Sequence, residues 1–137
     1  MARLLRVQFP GAIYHVTVRG NERQLIFRDD PDRGRFLERL AQSQELYSVR
    51  LYLVCLMPNH LHLLLETPRG NLSNFMARLV TAYTVYDNLR HHRVGHLTQG
   101  RYKARMVEGN QYLLKLSRYI HLCGALSCSA EPETRRC

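Results

Sequence analysis

The chain reads as an α+β protein: a ferredoxin-like β-α-β-β-α-β antiparallel sheet with one helix appended at the C-terminus. Three observations predict this. Apolar residues alternate with others over 11–18 and recur in short strand-length runs at 49–56, 60–66 and 103–107. They recur at helical spacing over 31–47 and from 72 to about 90. Between the second and third strands stands only the turn Met57-Pro58-Asn59, so those two strands form a hairpin inside the order.

The first strand sets Ile13, His15 and Thr17 against Tyr14, Val16 and Val18, and Arg19-Gly20-Asn21 ends it. A polar loop over 21–30 surrounds Leu25-Ile26-Phe27. Asp30 followed by Pro31 is a helix start, a capping carboxylate before a proline whose missing N–H costs nothing there. Phe36, Leu37, Leu40, Ala41, Gln44 and Tyr47 then share a helix face. After the hairpin, Thr67-Pro68-Arg69-Gly70-Asn71 breaks the pattern and supplies a cap, and Leu72, Phe75, Met76, Leu79, Tyr83 and Tyr86 mark the second helix. Lys103 to Val107 is a fourth short strand, and Asn110 caps a final helix over 111–122. Residues 1–126 thus make one domain, with 127–137 a flexible, frayed tail.

With 137 residues and 45% hydrophobic side chains, the chain can bury one core without staples. Cys55, Cys123, Cys128 and Cys137 have neither C-x-x-C spacing nor the density of a disulfide scaffold, and read as reduced thiols. No apolar run is long enough to span a membrane and no signal-peptide pattern is present, so a cytoplasmic protein with no membrane partner is expected. Twenty Lys and Arg against eleven acids give a formal charge of +9, which favours a polyanionic partner. The densest positive stretch runs from Arg90 to Arg105 and is punctuated by glycine. It reads either as a solvated loop or as a phosphate-contacting one.

The third strand carries the candidate chemistry. Side chains alternate across a strand, so His60 and His62 share one face and Leu61, Leu63 and Leu65 the other. Two adjacent imidazoles can hold a divalent metal. They can equally be two half-exposed histidines with ordinary hydrogen bonds, since two ligands do not make a site. Glu66 shares their face, two pleats beyond His62. On the final helix Tyr112, Lys115, Leu116, Tyr119 and Cys123 fall together. Tyr119 is either core or rim packing, or a nucleophile attacking a phosphodiester polarised by a metal on the two histidines.

Four segments together resemble the REP-associated tyrosine transposases, relatives of the single-tyrosine HUH transposases of bacterial insertion sequences. They are Tyr14-His15-Val16-Thr17-Val18-Arg19-Gly20-Asn21, Leu56-Met57-Pro58-Asn59-His60-Leu61-His62-Leu63-Leu64, Gln99-Gly100-Arg101-Tyr102-Lys103-Ala104, and Tyr112-Leu113-Leu114 with Ser117-Arg118-Tyr119-Ile120-His121-Leu122. They follow one another from about residue 10 to 122, nearly the whole chain. The resemblance implies a bacterial, nucleoid-associated, single-stranded DNA endonuclease and strand transferase acting at hairpins of palindromic extragenic repeats. It implies His60 and His62 as ligands of Mg²⁺ or Mn²⁺, and Tyr119 as the nucleophile that forms a 5′-phosphotyrosine link. Arg101, Lys103 and Arg105 become expected phosphate contacts, with Arg19 and Asn21 as further DNA contacts; Tyr102 is a stacking residue or a buried aromatic. The REP-associated group implies a monomer, while insertion-sequence relatives can act as dimers.

The chain departs from the pattern where relatives carry an asparagine four residues after the tyrosine as third metal ligand. Here Cys123 stands there, followed by Gly124. A thiolate suits Mg²⁺ poorly. Cys123 could leave a weaker two-histidine site, shift preference toward Mn²⁺ or Zn²⁺, or mark a catalytically impaired hairpin-binding protein. A zinc hydrolase using His60, His62 and Cys123 is a further alternative. An RNA-binding module of this fold would expect exposed aromatics where the histidines stand.

Overall fold

The structure, a computed structural model, describes residues 10–107 and Arg118. The expected helix over 111–122, Tyr119, Cys123 and the tail from 127 lie outside the described residues. In order, the described elements are β1 (Ala12–Arg19), a single 3-10 turn (Asn21–Arg23), α1 (Asp30–Tyr47), β2 (Arg50–Met57), β3 (His60–Thr67), α2 (Leu72–Arg90) and β4 (Lys103–Met106). The sheet order is β2-β3-β1-β4 with every pairing antiparallel, so β3 and β1 are central. This is the expected α+β architecture.

One sheet face carries the main core. Tyr14, Val16, Val18, Leu61, Leu63 and Leu65 pack there against Phe36 and Leu40 of α1 and Leu72, Phe75, Met76, Leu79 and Tyr83 of α2. Both helices therefore lie on the side of the sheet away from His62. Phe27, Phe36 and Tyr83 meet edge-on or tilted at centroid distances of 5.3 to 5.5 Å, and the Tyr83 hydroxyl donates to Ile26 O at 2.6 Å.

Three details differ from the sequence reading. Asp29 caps α1, not Asp30: its carboxylate accepts the Asp32 N–H, and Pro31 lies within the first turn. The cap is set by which carboxylate faces the free N–H at the third helical position, and two adjacent aspartates leave that choice open. Asn71 stands at the start of α2 but its side chain does not cap; its amide donates to Tyr47 O and ties the helix to the end of α1. A β-bulge at Tyr52 shifts the register between Leu51 and Leu53, which turns Leu53 and Cys55 to the face opposite the helices.

The loop after β1 grips the turn that leads into β3. Pro58 O accepts from the N–H groups of Ile26 and Phe27, and Asn59 O accepts from Gly20 N–H at 2.8 Å. Gly20 fits because it has no side chain: a Cβ there would stand 2.1 Å from Gln24 O.

Candidate functional site

Directly opposite residues of an antiparallel pair share a face, so the register lays out the side of the sheet away from the helices as rows. Met57, His60 and Arg19 form one row; Cys55, His62, Thr17 and Lys103 the next; Leu53, Leu64, His15 and Arg105 the third. Across each row the chemistry changes from apolar on β2, through polar groups at the centre, to cationic toward β4. The β2 side is buried: Leu53 and Cys55 cluster with Leu64 of β3, and Val107, just past β4, joins the same cluster.

At the centre stand three histidines, not two. His60 and His62 rings meet edge-on with centroids 5.1 Å apart. His15, from β1, lies edge to edge with His62, ring centroids 5.2 Å apart and planes within 21° of parallel, and its Nε2 lies 3.0 Å from His62 Nδ1. Thr17 Oγ1 is 3.4 Å from the same nitrogen. His60 Nδ1 lies 2.9 Å from Asn59 Oδ1. An amide oxygen only accepts, so His60 carries its proton on Nδ1 and keeps the Nε2 lone pair.

All three rings favour the neutral state. Burial, reinforced by His15, His60 and Arg19, lowers His62 to about 4. Burial and Arg19 lower His60, and burial and Arg105 lower His15. A metal ligand must be the neutral imidazole, so the donor chemistry of His60 and His62 fits a divalent cation near neutral pH. Glu66 is not brought to this site: it lies about 13 Å along the strand from His62 by strand rise. Its carboxylate accepts from Tyr52 Oη at 2.5 Å and faces Arg50 at 4.0 Å.

The cations divide. Thr17, Arg19, Gln99, Gly100, Arg101 and Lys103 wall one groove. It adjoins a polar recess walled by Arg19, Gly20, Arg23, Asn59, His60 and Gln99. Arg19, Arg101 and Lys103 are thus brought together beside His60, and Arg23 joins them from a loop whose sequence gave no signal. Arg105 is exposed on β4 opposite His15. Asn21 opens the 3-10 turn, and its N–H donates to Leu97 O. Tyr102 packs against the main core with its hydroxyl 3.3 Å from Ser73 Oγ, the placement of a half-buried aromatic.

The other half of the basic stretch is spent on carboxylates. Asp32, fully buried, accepts from Arg28 N–H at 3.0 Å, Tyr86 Oη at 2.9 Å, Arg90 Nη1 at 2.6 Å and His91 Nε2 at 2.9 Å. Burial alone would raise its carboxyl, but the Arg28, Arg90, Tyr86 and His91 donors outweigh that and hold it below the usual range. Arg90 also grips Asp29 at 2.5 Å. Arg93 pairs with buried Asp87 at 2.9 Å and reaches Gln24. The oxygens of Asp32 and Asp87 and a His91 nitrogen lie within 4.8 Å of one another, but with guanidinium groups on both carboxylates the cluster is an ion-paired tie between α1, α2 and the loop after α2.

Comparison with known proteins gives a consistent family. A family model described as "Transposase IS200 like" matches residues 8–122. A solved structure of a REP-associated tyrosine transposase bound to a REP hairpin superposes with a TM-score of 0.77 at 13% identity, covering 93% of this chain and 75% of that one. A Deinococcus radiodurans R1 protein provisionally named a transposase superposes with a TM-score of 0.59 at 20% identity, covering 88% of this chain and 97% of that one. Among curated proteins, none matches. At these identities the superpositions speak for the fold, and the family model for the family.

Proposed function

The chain belongs to the IS200-like transposase family, and from that premise we propose that it is a metal-dependent single-stranded DNA endonuclease and strand transferase acting at DNA hairpins through a 5′-phosphotyrosine intermediate. The observation that carries this reading is the His60–His62 pair: two neutral rings on a central strand, beside a groove walled by Arg19, Arg101 and Lys103. The similar fold that binds a REP hairpin supports hairpin DNA as the partner.

His60 and His62 would hold Mg²⁺ or Mn²⁺, with Cys123 as candidate third ligand. What the cation supplies when bound is charge on the scissile phosphate, which makes phosphorus more electrophilic and steadies the oxyanion. The chain's own groups do the rest. Arg19, Arg101 and Lys103 line a track for the DNA backbone, and charge-assisted contacts there set position and affinity. Arg23, at the recess shared with His60, would steady a phosphate next to the pair. The Tyr119 oxygen would attack phosphorus as its proton leaves; the bond to the 3′ oxygen breaks, giving a 5′-phosphotyrosine link and a free 3′-OH. The link keeps the energy of the broken ester, so a second 3′-OH can reverse the step without ATP.

Tyr119→Phe should abolish cleavage of a hairpin oligonucleotide while leaving binding within about twofold, since only the attacking oxygen is lost. Equal loss of both would make Tyr119 structural. The catalytically impaired hairpin-binding reading is kept by one observation, the thiol at Cys123. Wild-type protein that binds hairpins without cleaving them, with cleavage gained in Cys123→Asn, would establish that reading.

A further inference from the structure

His15 has no part in the reading above, yet it makes the shorter of the two side-chain contacts to His62 Nδ1. It sits on β1 opposite Leu64, one diagonal step from His62. Its ring is nearly parallel to that of His62, at an interplanar angle of 21°. We infer that His15 is a positioning residue: its Nε2 accepts a hydrogen bond from His62 Nδ1–H and so holds His62 in the tautomer whose Nε2 lone pair is open to a divalent cation. This rests on the metal reading of His60 and His62.

A neutral imidazole carries one proton on one of two nitrogens, and the partner of one nitrogen decides the state of the other. Two groups face His62 Nδ1. Thr17 Oγ1, at 3.4 Å, can donate or accept, so it imposes no tautomer and is the longer contact. His15 Nε2, at 3.0 Å, imposes one: a single proton lies between the two nitrogens, bonded to one of them. If it belonged to His15, His62 would carry its own proton on Nε2 and that nitrogen would be closed to metal. If it belongs to His62, His15 holds its proton on Nδ1 and His62 Nε2 is open. The second arrangement matches what Asn59 Oδ1 imposes on His60. Both rings then present Nε2, each fixed through Nδ1 by a partner outside the ligand pair. The two rings are near coplanar and meet nitrogen to nitrogen, so the acceptor is already in line before a cation arrives.

The test begins without metal. Nitrogen-15 NMR of histidine-labelled full-length protein in chelator should show His62 protonated on Nδ1 and bare on Nε2. His15→Phe keeps a flat ring at the position and removes the acceptor. It should shift His62 toward the Nε2–H tautomer and weaken Mn²⁺ binding, read by calorimetry, by about 10–100-fold, the usual cost of losing such a partner. Hairpin binding in chelator should not change, and the thermal midpoint should fall by no more than the few degrees that one half-buried hydrogen bond is worth. His15→Gln, whose amide oxygen can accept, should recover most of the affinity. The inference is overturned if His62 is Nε2-protonated in the wild type, or if His15→Phe binds Mn²⁺ as the wild type does. If His60→Ala binds Mn²⁺ like the wild type, the metal reading fails instead, while the tautomer result stands or falls without it.

Discussion

Two histidine-bearing clusters among the described residues use the same side chain in opposite ways. Around Asp32, His91 shares buried carboxylates with Arg90 and Arg93, so its nitrogen facing Asp32 is taken by a counter-charge. On the outer sheet face, His15, His60 and His62 stand with no carboxylate among their hydrogen-bond partners in the described residues; burial and nearby arginines keep them neutral. The first arrangement ties helices together. The second leaves neutral rings beside a groove walled by Arg19, Arg101 and Lys103, the arrangement the proposed function needs for a phosphodiester. The segment from Arg90 to Arg105 feeds both, its first part spent on internal carboxylates and its last part on the groove.

That contrast predicts separable losses. The largest is in the ion-paired cluster: Asp32→Ala leaves Arg90 and His91 without their buried acceptor and should cost about 3–5 kcal/mol, read by urea unfolding. Mn²⁺ affinity of the protein still folded should stay unchanged; a parallel loss of metal binding would join the clusters into one. His60→Ala with His62→Ala should do the reverse, abolishing Mn²⁺ binding while moving stability by no more than about 1–2 kcal/mol. Next in size, Arg101→Ala should weaken hairpin binding and reduce the slope of log affinity against log salt by about 1. Arg93→Ala, which removes a cation already committed to Asp87, should leave that slope alone.

Acid should separate the clusters more finely. His62 falls from 6.5 unfolded to about 4 folded, so the unfolded chain binds more protons between those values. Its contribution is full above 6.5 and fades as pH falls toward 4. The folded carboxyls of Asp29, held by Arg90, and Asp32 are also lowered, so their contribution is lost only as pH falls through the carboxylate range. Urea midpoints followed with pH should show a decline below 6.5 that His62→Phe reduces, His15 and His60 supplying the remainder, and a later one that it leaves alone.

The regular parts of this architecture were legible because periodicity reports burial directly. Alternation over Ala12–Arg19 and helical spacing over Leu72–Arg90 need no partner to be read, and Met57-Pro58-Asn59 announces its own turn. What depends on a distant partner was not legible. His15 looked like any outward position on β1 until the register set Thr17 opposite His62. Asp32 and Asp87 belong to no motif or apolar spacing, and the packing of α1 against α2 buries them with Arg90 and Arg93. Tyr102 is similar: spacing alone left stacking and packing open, and its contact with Ser73 lies on the helix side of the sheet.

The central claim is that the outer face with its neutral histidines serves DNA strand transfer. Its most direct test is incubation of the full chain with single-stranded hairpin oligonucleotides and Mn²⁺ or Mg²⁺, followed by denaturing electrophoresis and peptide mass mapping. A metal-dependent covalent DNA adduct on Tyr119, absent from the His60→Ala/His62→Ala protein, is the predicted result. Metal-independent cleavage, or an adduct formed equally well without the two histidines, would contradict it.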